Sequence, residues 1–198
     1  MDTTLRLVQP PNGPVREEPL VPTPVLGMLV FVLTEAMMFS GMISAFLIVK
    51  AGVPGGVWPP PYLPVLPAAE TAFNTAALLA SGAMVFFAQR AFERGPEHAF
   101  KPLAAASALA AFFVAFQGVE WIGLLSEGLS FTGSQHGAFF YLIVGSHGLH
   151  VLAALAFLVQ QTVAARAGTL EQERFWALQV FWYFVVGLWP LLYWLVYL

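Results

Sequence analysis

Apolar runs long enough to cross a membrane recur five times along the chain, at about residues 25–49, 69–89, 102–125, 137–165 and 175–198, parted by polar or Pro/Gly-rich breaks. The first run, VLGMLVFVLTEAMMFSGMISAFLIV, contains a single charged residue, Glu35. At about 1.5 Å per residue it spans roughly 37 Å, more than the ~30 Å of a hydrocarbon core. The pattern therefore predicts an all-α integral membrane protein with five transmembrane helices over residues 25–198. Residues 1–24 carry six prolines, scattered charges and no basic-then-apolar leader pattern, and read as an extended arm on the cytoplasmic side. Pro24 is well placed to open the first span, because its missing N–H belongs to a helix start. The break after Lys50 is dense in Pro and Gly and cannot be helical throughout, whereas the break from Arg90 to Lys101 is short and charged.

Composition agrees with the pattern. The chain is 59% hydrophobic and only 10% charged, which excludes a globular domain with a water-facing surface. A formal charge of -3 and the lack of a dense basic patch exclude a nucleic-acid partner. The sequence has no cysteine, which leaves out disulfides, thiolate metal sites, a mixed-valence copper centre and covalent haem attachment. Of the eight Lys and Arg, Arg6, Arg16, Arg90, Arg94, Lys101, Arg166 and Arg174 fall on the side of the N-terminus and Lys50 alone on the other. The positive-inside rule then places the N-terminus in the cytoplasm and the C-terminus outside.

Four ionisable groups fall well within the spans, away from their ends: Glu35, Glu120, His147 and His150. Such groups are costly in hydrocarbon and mark function by default. Counting along the helices puts Glu35, His147 and His150 in one layer near the midplane, with Glu120 nearer the outer end. No Lys or Arg lies in any span core, so a neutral acid is expected at Glu35. It can handle protons, contact lipid or tie two helices together. His147 and His150 are three apart and share a helix face. Metal binding is disfavoured, because a di-iron bundle needs a Glu-x-x-His pair on each of two helices. One imidazole is instead expected to bond a carboxyl or carbonyl on a neighbouring span. Ser146 next to His147 is no serine-protease pair, since adjacent helical residues do not face each other. The pairs Ser40/Ser44 and Gly41/Ala45 are expected to allow close helix contact. Asn74, Thr75 and Ser81 are expected to serve as hydrogen-bonding glue. Trp189, Tyr193, Trp194 and Tyr197 should anchor and pack the last span. Pro190 should bend it, freeing the Val186 carbonyl.

These segments resemble subunit III of the haem-copper terminal oxidases, the cytochrome c oxidase subunit III family. GSHGLHV after GAFFYLIV is similar to the family's F-F-x-x-x-G-x-H-G-L-H-V; FVLTEAMMF to F-x-x-S-E-x-M-F-F; FQGVEW to L-Q-x-x-E-Y; and the WPPP loop with FNTAALLASG to W-P-P and L-N-T-x-x-L-L-x-S-G. The resemblance implies a subunit without haem or copper, packed on subunit I of a proton-pumping oxygen reductase of the aa3 or caa3 type, alongside subunit II and a small fourth subunit. Haem a and copper would reside in partner subunits I and II. Its implied role is to bind phospholipid, to sustain proton uptake into subunit I and to protect the complex during turnover, in a bacterial inner membrane. Glu35 matches the family's carbodiimide-reactive carboxyl, and the resemblance implies lipid contact at Trp58 and, less directly, at Arg166. Many members have seven spans and this chain begins at what would be the third, as five-span bacterial members do. It departs from the family at Phe87-Ala88-Gln89-Arg90, where W-A-H-H is frequent, and at Tyr183 and Val186, which stand for a His and an Asp. The alternatives are subunit III of a quinol oxidase, a homologue associated with nitric-oxide reductase, and a small proton-coupled transporter. Against the last, no internal repeat is visible.

Overall fold

The computed structural model describes residues 21–53, 58–61 and 63–198. The arm expected over residues 1–24 lies outside the described residues as far as residue 20, as do positions 54–57 of the first break. Five helices are long and apolar enough to cross a membrane. They are α1 (Thr23–Ala51), α2 (Ala68–Phe92), α3 (Phe100–Ser126), α4 (Gln135–Arg166) and α5 (Gln172–Tyr197). Each expected span is present and runs one to three residues further at nearly every end. A short 3-10 helix, Pro96–Ala99, which the hydropathy pattern does not reveal, bridges α2 and α3. Pro24 sits in the first turn of α1, where a missing donor costs nothing.

Helix α2 packs on α3, α3 on α4, α4 on α5 and α5 back on α2, so these four close a bundle. Helix α1 stands outside that ring, docked on α5 and α4. Cross-helix bonds fix alternating directions. Gln179 Nε2, near the start of α5, donates to Gln89 Oε1 near the end of α2 at 2.6 Å. At the opposite end Tyr193 Oη donates to the Ala68 carbonyl at 2.9 Å.

The bundle core is apolar and closely fitted, with Leu78, Val85, Leu103, Ile143, Leu158, Leu178 and Trp182 at 0% exposure. Its tightest helix contact is at Gly82, where an added Cβ would lie 3.1 Å from Val186 Cγ1. The small pairs on α1 make no close helix contact within this chain. Ser40, Gly41, Ser44 and Ala45 are all exposed on its outer side, and a Cβ at Gly41 would meet nothing within 4 Å. Hydropathy marks these as membrane residues, but small-residue spacing alone does not say which face meets another helix.

Of the three residues expected to serve as hydrogen-bonding glue on α2, Asn74, Thr75 and Ser81, two cross to neighbours. Asn74 Nδ2 donates to the Phe113 carbonyl at 3.1 Å, and Thr75 Oγ1 accepts from Trp189 Nε1 at 2.8 Å. Ser81 turns back on its own helix, donating to the Leu78 carbonyl. Trp189 and Tyr197, at 1% and 8% exposure, are packing residues rather than interface anchors, and only Trp194 reaches outward freely at 64%. Helix α5 continues through Pro190 without a break. The N-terminus of α4 is fixed by Ser134, whose Oγ accepts from the Gly137 N–H at 3.0 Å, and a Cβ at Gly137 would collide with the Ser130 carbonyl.

Burial of the Trp189 N–H against Thr75 yields a direct stability prediction. Thr75→Val keeps the shape and removes the acceptor, and should destabilise the fold by about 1–2 kcal/mol in detergent unfolding. Ser81→Ala, which breaks only a local bond, should stay within about 0.5 kcal/mol.

Candidate functional site

The two ionisable residues that meet inside the spans are Glu35 on α1 and His150 on α4. Glu35 Oε2 lies 2.9 Å from His150 Nε2, with the side chains 16% and 17% exposed. The approach is close without being aligned as a directed hydrogen bond. On its other side, His150 Nδ1 is 2.7 Å from the Ser146 carbonyl one helical turn back. A carbonyl oxygen only accepts, so Nδ1 carries the hydrogen. That assignment constrains the other nitrogen. Either Glu35 is protonated and faces a bare Nε2, or the ring is an imidazolium facing a carboxylate. Both arrangements place one proton between the two residues, and both leave the pair uncharged overall.

Aromatic rings enclose the pair. Phe39 meets the His150 ring edge-on at 5.5 Å between centroids, Phe31 stacks on it at 6.4 Å, and Phe181 of α5 lies edge-on at 6.4 Å. Phe39 is itself 1% exposed. Rings on two helices, α1 and α5, thus border the contact and keep it partly shielded from its surroundings.

His147 shares the layer but not the contact. It stacks on Trp189 at 5.1 Å and 22°, and meets Phe39 edge-on at 6.4 Å. Both its ring nitrogens are buried with no partner among the described residues. Residues three apart on a helix lie about 60° from one another around the axis, enough to send His150 to α1 and His147 to α5.

Glu120 belongs to a separate knot at the end of the bundle opposite the arginine-rich one. Gln117 Nε2 donates to Glu120 Oε2 at 2.7 Å and to Tyr197 Oη at 3.2 Å. Thr71 Oγ1 lies 3.0 Å from Glu120 Oε2 and 2.9 Å from the Pro67 carbonyl, and has one hydrogen to give to either. Gln117 was legible in principle, since it stands three residues before Glu120 in FQGVEW. Thr71 and Tyr197 come from other helices, and no local spacing announces them.

Trp58, reached by the first break, stands edge-on to His136 at 5.4 Å and to Phe46 at 6.0 Å. His136, which spacing did not single out, is 2% exposed with both nitrogens unpartnered among the described residues. Arg166 sits far from this group, at the end of α4, with its guanidinium 5.8 Å from the Phe100 ring centroid. Trp58 and Arg166 therefore do not form one site. Among the described residues no three His, Asp or Glu side chains converge as metal ligands.

Known proteins bear a clear likeness to this chain. The family described as Cytochrome c oxidase subunit III matches residues 21–198. Cytochrome c oxidase subunit 3 of Arabidopsis thaliana is 34% identical over 175 residues, covering 84% of this chain and 65% of its own length. The Vicia faba protein of the same name is 36% identical over 149 residues, covering 71% and 55%. A Nocardia farcinica protein described as "Probable cytochrome c oxidase subunit 3" is 31% identical over 175 residues, covering 83% and 82%. The chain thus spans somewhat less than two thirds of the plant relatives and most of the bacterial one. With a family match over all five membrane-length helices, the chain is a multi-pass membrane protein that belongs to the cytochrome c oxidase subunit III family.

Proposed function

We propose that this chain is the accessory subunit III of a proton-pumping haem-copper oxidase of the aa3 or caa3 type, seated against subunit I and in one complex with subunit II and a small fourth subunit. It would lie in a bacterial inner membrane with the N-terminus in the cytoplasm. The excess of Arg and Lys at the end of the bundle where α1 begins supports that orientation. The observation that carries the functional reading is the Glu35–His150 contact, a carboxyl and an imidazole 2.9 Å apart on two helices with aromatic rings beside them.

The two histidines of the Glu35 layer do not suit haem or copper. His150 has one nitrogen on a carbonyl and the other on Glu35, and the His147 ring is closed in against Trp189. Electron transfer and oxygen chemistry are therefore assigned to partner subunits I and II. What this chain supplies is a fixed structure beside them. Glu35 and His150 hold one proton at a defined depth and can exchange its position without moving net charge into hydrocarbon, which is what an element sustaining proton uptake requires. Glu120, near the opposite membrane surface, serves as a second polar station joining α2, α3 and α5. Phospholipid contact is assigned to Trp58 at one end and Arg166 at the other.

Three outcomes test this. Purified in mild detergent, the chain should bring with it haem a and copper in stoichiometric amount on a larger partner; a stable haem-free homo-oligomer would contradict the assignment. Glu35→Gln keeps a donor for His150 Nε2, so assembly should be intact while the oxidase loses activity faster during turnover. An unchanged turnover lifetime and proton uptake would reduce Glu35 to packing. Glu35→Leu removes the polar link altogether and should loosen α1 by about 1–2 kcal/mol, read as earlier proteolysis or exchange of that helix.

A further inference from the structure

Where α4 turns into α5, a half-open cavity of about 380 Å³ is lined by Gln160, Gln161, Thr169, Glu171 and Arg174. Its polar lining contrasts with the apolar seam above it, where Phe31, Leu149, Ala153 and Phe181 border His150. Gln161 is 3% exposed, and among the described residues no side-chain hydrogen bond takes up its amide. Leaving a buried amide unpartnered costs about 1–3 kcal/mol, which favours an occupant that bonds it. Arg174 and Glu171, 2.8 Å apart at the rim and 62% and 64% exposed, form a surface pair of small worth that can open to other charges.

Helix geometry shows which segment reaches it. Phe31 of α1, His150 of α4 and Phe181 of α5 touch one another and mark one level of the bundle. Phe39 meets His147 and Phe184, so α4 runs against α1 and α5 runs with it. From the Phe31 level, Thr23 therefore lies roughly 12 Å down α1, Arg174 roughly 10 Å down α5 and Gln161 roughly 16 Å along α4, all toward the same end. At about 100° per residue, Gln161 is turned only about 20° from His150, and Arg174 about 20° from Phe181, so both look toward α1. The cavity lies beside the point where the chain enters α1.

The chain before that point has matching chemistry. Residues 10–20 read PPNGPVREEPL. A proline-rich stretch makes no internal hydrogen bonds, so its carbonyls stay open to donors such as the glutamine amides and the Thr169 hydroxyl. Its charges complement the rim, with Arg16 suited to Glu171, and Glu17 and Glu18 to Arg174. At about 3.1 Å per residue, the stretch from Arg16 to Val21 covers roughly 15 Å, more than the ~10 Å between neighbouring helix axes. A segment tethered at that reach has a local concentration on the order of millimolar, so weak contacts suffice to seat it ahead of a free competitor. We propose that the cavity at the α4–α5 turn is the seat of this chain's own N-terminal arm, residues 10–20, held by the Gln160 and Gln161 amides and by charge pairing with Glu171 and Arg174.

The test is double electron–electron resonance on the full-length chain in detergent micelles, with one nitroxide on Asn12→Cys and a reference nitroxide on Lys101→Cys at the same end of the bundle. The sequence has no cysteine of its own to confuse the labelling. The parent should give one narrow distance. In Arg174→Glu the ratio of narrow to broad population should fall roughly tenfold, and adding Glu17→Arg with Glu18→Arg should restore it. Gln161→Leu, which removes the buried amide, should broaden the distance likewise, while Glu97→Ala, exposed and outside the cavity, should change nothing. A broad distribution in the parent would overturn the proposal. So would a narrow distance that survives both cavity variants with their helical content intact, since the arm would then be seated on another surface or a second copy.

Discussion

One polar contact ties α1 to the rest of the molecule. Among the described residues Thr34 and Ser40 bond only to their own helix, so the approach of Glu35 to His150 is the sole polar side-chain link between α1 and the bundle. In hydrocarbon, apolar packing gains nothing from the exclusion of water, so Phe39 and Phe46, with Met28, Val32, Met42 and Ile43 beside them, hold α1 by contact alone. The link therefore sets where α1 sits, and the aromatic cage of Phe31, Phe39 and Phe181 follows from that position. A separate contact, from the Ser146 carbonyl to His150 Nδ1, orients the ring so that Nε2 faces Glu35. Structure and candidate chemistry here are one interaction.

The four-helix ring behind α1 is organised differently. There polar groups are spread among several cross-helix bonds, and close approach at Gly82 and apolar fit at Trp182 and Leu178 do the rest. This division explains why the outer face of α1 can expose Ser40, Gly41 and Ser44 without cost to this chain's own fold. It also explains how the α3–α4 seam tolerates Gly118, Gly145 and Gly148, since Asn74, Thr71 and Gln117 already fasten α3 to α2 and α5.

Much of this was legible from residue pattern. Hydropathy gave all five helices because spanning length is a hard constraint, and their ends moved by only a few residues where a 3-10 turn or a cap extends them. The depth count put Glu35 and His150 in one layer, but it put His147 there equally, and could not decide which ring turns toward α1. That choice is made by helix rotation, which the sequence does not encode locally: Trp189 claims His147 from α5. Likewise Glu120 could be recognised, whereas Thr71 and Tyr197 as its neighbours depend on which helices adjoin. The aromatic residues of α5 look like interface anchors in sequence, yet Trp189 and Tyr197 are buried because α5 touches three helices at once.

The central claim is that Glu35 and His150 share one proton with the hydrogen of the ring fixed on Nδ1. It is tested most directly by nitrogen NMR of histidine-labelled full-length chain, with His150→Gln used to assign the resonance. The account predicts a protonated Nδ1 on His150, and an Nε2 signal that shifts in Glu35→Gln while the signals of His147 stay in place. A His150 ring with a bare Nδ1, or one indifferent to the loss of the carboxyl, would contradict it.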